Sequence, residues 1–265
     1  MNKPLAVQEP VSPDLSDLPV RFSHLRAYGR SAMHGYHART TEMAQTSAMQ
    51  KGTAVHALIL GGRKIMGYPG AVRRGKEYDA FVAENPDAEI LTMSDYDKAN
   101  RMADAVRANQ LAMPVLSGYC ETRLNFEWNG LQCRATPDVR GLDYLTELKT
   151  CSNSDPNKFL WHALRMAYPA QLWFQHIGCE LNGFSIQRHY IVAVESAEPY
   201  PVTVFEIQPR ALDQAAKTLA LWAERLKTCE QSGMWPPYAQ SVVPLDVPDD
   251  EMPQLVYGDE EKDAA

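Results

Sequence analysis

The segment Cys120 to Thr150 constrains this chain more than any other. Two strand-like runs, Cys120 to Trp128 and Leu131 to Val139, are joined by Asn129-Gly130. Both turn residues tolerate positive φ, so the pair suits a type I′ hairpin turn. A third run, Leu142 to Thr150, follows across Gly141. The predicted product is an antiparallel meander whose last two strands carry Asp138 at the end of one and Glu147-Leu148-Lys149 on the other.

Side chains alternate faces along a strand, so Glu147 and Lys149 project together while Leu148 turns into the core and leaves its carbonyl near the carboxylate. With Asp138 from the neighbouring strand, two carboxylates and one carbonyl make an all-oxygen ligand set. Such a set is preferred by Mg²⁺ and tolerated by Mn²⁺, whereas zinc would call for more His or Cys. An ion held there would polarise a phosphate oxygen and activate water, with Lys149 positioning that water or stabilising developing charge. The expected chemistry is phosphodiester hydrolysis.

The rest of the chain supplies an α/β frame. A helix is predicted from Thr46 to Leu60, with His56 inside it and Gly61-Gly62 as its stop. Residues 63 to 90 read as irregular and basic at first, and Ser94 opens a helix to about Gln110. A short helical stretch covers Lys158 to Arg165, and Pro169 suits the first position of a helix to Leu181. Strands Gln187 to Glu195 and Val202 to Ile207 precede a helix from Pro209 to about Cys229. That order implies a mixed central sheet flanked by helices.

A chain of 265 residues with 45% apolar positions is long enough for one domain. The expected boundaries are a tail over 1–20, a domain over 21–240 and an acidic tail over 241–265. Within residues 246 to 265 eight carboxylates face Lys262 alone, which accounts for the whole formal charge of −7 and leaves residues 1–245 neutral. The acidity therefore does not exclude a DNA-handling body. Five scattered cysteines with no C-x-x-C pair disfavour a disulfide framework and a zinc or iron–sulfur site. Without an apolar run of about 18 residues or a secretion-type leader, the expectation is a soluble, cytoplasmic protein with no membrane partner.

The string RATPDVRGLDYLTELKT reads as P-D, eight residues, then E-L-K. This is the PD-(D/E)xK nuclease signature, on the hairpin where that fold carries it. From about Phe22 to Tyr238 the chain resembles the nuclease domain of the exodeoxyribonuclease VIII, RecE-type family, related to RecB-like and lambda-type exonucleases. KGTAVHALIL, GKEYDAF, CETRLNFEW, the PD and ELK strings, the YPAQ segment and GMWPPY carry the resemblance, in that order.

The resemblance implies a double-stranded DNA exonuclease, with 5′ to 3′ resection leaving 3′ overhangs for prophage-type recombination. It also implies a ring-shaped homo-oligomer, trimeric or tetrameric, and a single-strand annealing partner of the RecT type. His56 matches the helix histidine that approaches the metal. Glu121 matches either a family acidic ligand or an ordinary surface residue. Tyr168 and Gln171 match a Y-x-x-Q segment that orients DNA or the catalytic lysine, while Gln175 stands where relatives usually have Tyr. Gln171 and Gln175 share a helical face, so either an amide replaces the phenol or the position has no role of its own.

The candidate catalytic residues are thus Asp138, Glu147, Lys149 and Gln171. The candidate metal ligands are His56, Asp138, Glu147, Leu148 and Glu121. Tyr168, Gln175, Arg26, Ser31, Arg73, Arg74 and Lys76 are candidates for DNA contact, since cations and small hydroxyl donors dominate phosphate recognition. Trp161, Trp173 and Trp235 are expected in the core. An endonuclease on the same fold, or a binder that does not cut, stays open as an alternative.

Overall fold

The computed structural model describes residues 18–42 and 46–245. All but the last three residues of the expected N-terminal tail, and the acidic stretch 246–265, lie outside the described residues. The strands are β1 (Lys64–Tyr68), β2 (Ala88–Thr92), β3 (Tyr119–Cys120), β4 (Leu124–Trp128), β5 (Leu131–Ala135), β6 (Val139–Arg140), β7 (Tyr144–Cys151), β8 (Arg188–Glu195) and β9 (Val202–Glu206). The helices are α1 (Phe22–Arg30), α2 (Ala32–Thr40), α3 (Ser47–Leu60), α4 (Lys76–Glu84), α5 (Met93–Ala108), α6 (Ala112–Val115), α7 (Pro156–Arg165), α8 (Tyr168–Leu181) and α9 (Pro209–Ser232).

The central sheet has the order β3-β6-β7-β8-β9, with β7 and β8 parallel and the other pairs antiparallel. The mixed α/β architecture is the one expected. Strand alternation divides the core in two. Leu145, Cys151, Ile191 and Ala193 join one cluster with Phe174 of α8 and Leu219 of α9. Leu148, Val192 and Val194 face the other way, against Val55 of α3 and Met102 of α5. Strands covered on both faces by helices read as nearly continuous apolar runs, as Ile191 to Val194 do.

The meander differs from expectation in one respect. The Asn129-Gly130 turn forms with both φ angles positive, 53° and 74°, but each long run breaks near the end away from the turn. Glu121 adopts φ 48°, and Pro137 has no N–H to give to a ladder. The outer parts β4 and β5 therefore form a separate two-stranded hairpin, while β3 and β6 join the central sheet. Residues 63–90 also correct the irregular reading: β1 and β2 pair in parallel, with α4 between them. Helices α1 and α2, which periodicity alone did not single out, are separated by extended Ser31.

Phe174, fully buried on α8, holds the hairpin against the helix, with ring centroids 5.3 Å from Phe126 and 6.4 Å from Trp128. Gly178 lies one turn along, where a Cβ would come within 2.7 Å of the Phe126 ring. On the same side of the sheet, buried His189 bonds His176 at 3.1 Å, and its Nδ1 has no partner among the described residues. No helix among the described residues is long and apolar enough to cross a membrane.

Phe174→Ala should lower the unfolding free energy by about 3–5 kcal/mol, measured by urea denaturation; a loss under about 1 kcal/mol would show that the hairpin is anchored elsewhere. Burial, aided by Arg39 and Arg21 for His24 and by His176 for His189, lowers both histidines to about 4. Folding therefore disfavours their protonation, and the stability they contribute is complete above the unfolded value and lost as pH falls toward the folded one. Melting temperature should drop between pH about 6.5 and about 5, above the range of ordinary carboxylates. A flat profile across that window would contradict this.

Candidate active site

Strand β7 presents Glu147 and Lys149 on the face toward α8. The β6–β7 register, Val139 opposite Thr146, brings Asp138 alongside Glu147 just before β6 begins. Glu147 is 1% exposed and its carboxylate accepts from four donors. Lys149 Nζ at 2.5 Å and Gln171 Nε2 at 2.6 Å reach Oε2, while Gln175 Nε2 at 2.6 Å and the Asp138 amide at 3.5 Å reach Oε1. Burial, reinforced by the Asp138 charge, raises the Glu147 pKa despite Lys149. The Lys149 pKa is raised as well: burial opposes its charge, but Glu147 and Asp138 outweigh that and hold the ammonium protonated.

Asp138 Oδ2 accepts the Leu148 amide at 2.8 Å and lies 3.5 Å from His56 Nδ1. His56 stands on α3, whose first turn is capped by Thr46 accepting from the Met49 amide at 3.2 Å. Burial works against charge on both partners. It is overcome on Asp138 by His56, Lys149 and the Leu148 amide, which lower its pKa, and on His56 chiefly by Asp138, which raises it. The two form a charge-stabilised pair.

Helix α8 begins after Ala167, a left-handed residue at φ 57°, with Pro169 in its first turn. Its first residue, Tyr168, is buried with its ring centroid 5.1 Å from Lys149 Nζ and its hydroxyl 3.3 Å from His162. Gln171 both donates to Glu147 and accepts from Lys149 at 3.2 Å. Gln175, expected at DNA, is 3% exposed and is occupied by Glu147. Its amide does hold a site group, as the shared helical face suggested, but from beneath.

Among the described residues no three His, Cys, Asp or Glu side chains converge into a ready-made cation cage. The donor chemistry nevertheless fits a hard divalent cation. A strand residue's N–H and C=O point to the same edge, so the Leu148 carbonyl faces Asp138, as its amide does. Asp138, Glu147 and this carbonyl would hold the ion, with His56 beside them. Glu121 donates its amide to the Asp138 carbonyl at 3.1 Å, and lines a cleft of about 340 Å³ with His56, Gly61 and Arg63. Beyond that backbone bond, Glu121 lies on the His56 side, and among the described residues its carboxylate bonds neither the Asp138 nor the Glu147 side chain.

A second cleft, of about 490 Å³, opens above the two glutamines. Arg21, Arg26, Arg123 and Arg134 line it together with Gln171 and Gln175. Arg26 was expected at DNA; the other three arginines were not singled out. Ser31 is elsewhere: it is buried as the cap of α2, 2.7 Å from His34 Nδ1 and accepting the His34 amide at 3.3 Å. Arg73, Arg74 and Lys76 are exposed in and beside the β1–α4 connection, with Arg73 donating to the Ile90 carbonyl, and among the described residues none of the three bonds the centre. Trp173 and Trp235 pack partly buried against the core, but Trp161 is 72% exposed, contrary to expectation.

Gln175→Ala removes a hydrogen bond to a buried carboxylate and should cost about 1.5–3 kcal/mol of stability, measured by chemical denaturation. An unchanged midpoint would mean that Glu147 finds another donor.

The profile of the family described as "PDDEXK-like domain of unknown function (DUF3799)" matches residues 22–243. No curated protein matches the chain. Among solved structures, a "Putative exonuclease" from Eubacterium rectale is 13% identical, with a TM-score of 0.66, and the match covers 93% of this chain and 97% of that one. The alkaline exonuclease LHK-Exo from Laribacter hongkongensis is 14% identical, with a TM-score of 0.32 over 68% of this chain and 88% of its own. At such identities the first likeness speaks to the shared fold. With Asp138, just before β6, set beside Glu147 of β7, the chain belongs to the family of PDDEXK-like domains described as of unknown function (DUF3799).

Proposed function

We propose that this protein is a divalent-metal-dependent deoxyribonuclease that hydrolyses phosphodiester bonds from the ends of duplex DNA. One observation carries the reading: Asp138, Glu147 and Lys149 share one hydrogen-bonded centre beside a cleft lined by four arginines. Paired carboxylates with a fixed ammonium suit attack of water on phosphorus, and the arginines suit the backbone on which that phosphorus sits.

Mg²⁺, with Mn²⁺ as substitute, would polarise the phosphate and lower the pKa of the attacking water. The chain's own groups do the remaining work. Lys149 is aimed by Gln171 and Glu147 and stabilises charge gathering on the phosphate oxygens as the P–O bond breaks. Glu147 and Gln175 form a buried base that keeps the lysine from swinging away. His56 and the Leu148 amide fix Asp138.

Exonuclease action, 5′ to 3′ polarity, assembly into a ring and pairing with a strand-annealing protein rest on the resemblance to the RecE-type nucleases. An endonuclease on the same scaffold is the alternative, separable by substrate shape. In Mg²⁺, linear duplex should be degraded and covalently closed circles spared; rapid loss of circles would favour the endonuclease. Lys149→Ala and Asp138→Ala should each reduce cleavage about 10²-fold or more while circular dichroism stays native. Activity within a few-fold of wild type would remove these residues from the centre.

A further inference from the structure

Helix α7 commits Phe159 and Ala163 to the core and turns Leu160, Trp161 and Leu164 to solvent. An indole 72% exposed beside two exposed leucines is a surface that water alone does not favour. Large exposed aromatics with a polar edge are enriched where another molecule docks.

Charge selects the occupant. Lys158 and Arg165 stand three residues before and four after Trp161, on its side of the helix, and both are exposed. The sequence has no Asp or Glu between Asp155 and Glu180. A second copy of this face would set cations against cations. An aromatic plate flanked by cations instead suits an unpaired nucleotide, whose base offers a π-face and whose phosphates are anionic.

Position agrees with charge. His162, adjacent to Trp161, contacts the Tyr168 hydroxyl, and the Tyr168 ring lies over Lys149 Nζ. The exposed face thus belongs to a helix in contact with the wall of the centre.

We infer that the Trp161 face of α7 binds an unpaired segment of a nucleic-acid strand, a base on the indole and phosphates at Lys158 and Arg165. The inference rests on the nuclease reading and adds a single-strand contact to it.

The test uses the full chain in EDTA, so that binding is seen without cleavage, and fluorescein-labelled oligothymidylate followed by anisotropy. Trp161→Ala should weaken binding about tenfold, with an unchanged melting profile, and Trp161→Phe should stay within about threefold of wild type. Equal affinity of wild type and Trp161→Ala, or no binding by wild type, overturns the inference. So does a change in sedimentation caused by Trp161→Ala, since the face would then be covered by a second copy. Duplex cleavage separates the two readings. Loss of cleavage in Lys149→Ala, with oligothymidylate affinity untouched by Trp161→Ala, sinks only the single-strand contact. A wild-type protein that cuts no DNA in Mg²⁺ or Mn²⁺ sinks the nuclease reading.

Discussion

A carboxylate removed from water must be surrounded by donors, and the burial of Glu147 organises its neighbourhood accordingly. Its four partners come from a strand neighbour two residues on, from the adjacent strand end, and from two positions one turn apart on α8. Each tie costs desolvation and returns it only when geometry is good. The spacing of α8 from the sheet is therefore set by polar contacts at the centre and by Phe174 and Gly178 packing against the hairpin farther along. Leaving any donor out would strand charge in a place of low dielectric.

The neighbourhood also shows why two similar acids behave differently. Asp138 faces a histidine, an amide and a lysine, which hold it ionised. Glu147, deeper and next to that same negative charge, is pushed the other way. Divergent carboxylates in one pocket suit a centre that must hold positive charge without collapsing onto it.

Much of this was legible in the residues. Alternation placed Glu147 with Lys149, the P-D string placed Asp138 beside them, and helical spacing put Gln171 and Gln175 on one face. The direct bond from Gln175 to Glu147 was not legible, because it depends on the distance between a helix and a sheet. Strands β1 and β2 were hidden by their shortness and by Gly67 within the first. Arg134 could have been found: the two-residue turn sets it opposite Asn125, and alternation then turns it away from buried Cys133 and Ala135. Exposure of Trp161 was masked by its size, which suggests the core, although Lys158 three residues before it and Arg165 four after it set it on the polar side of α7, away from buried Phe159 and Ala163.

The parallel pairing of β7 with β8 has a consequence for how the molecule assembles. A parallel neighbour cannot be reached by a tight turn, so α7 and α8 must lie between the two strands in the chain. Lys149, Tyr168, Gln171 and Gln175 consequently occupy one continuous β-α-α-β stretch, and the contacts among them span short loops. Contacts of small sequence separation close early and at little entropic cost. His56, which must travel across a much longer loop to meet Asp138, joins a scaffold whose lysine and glutamines share a single local folding unit.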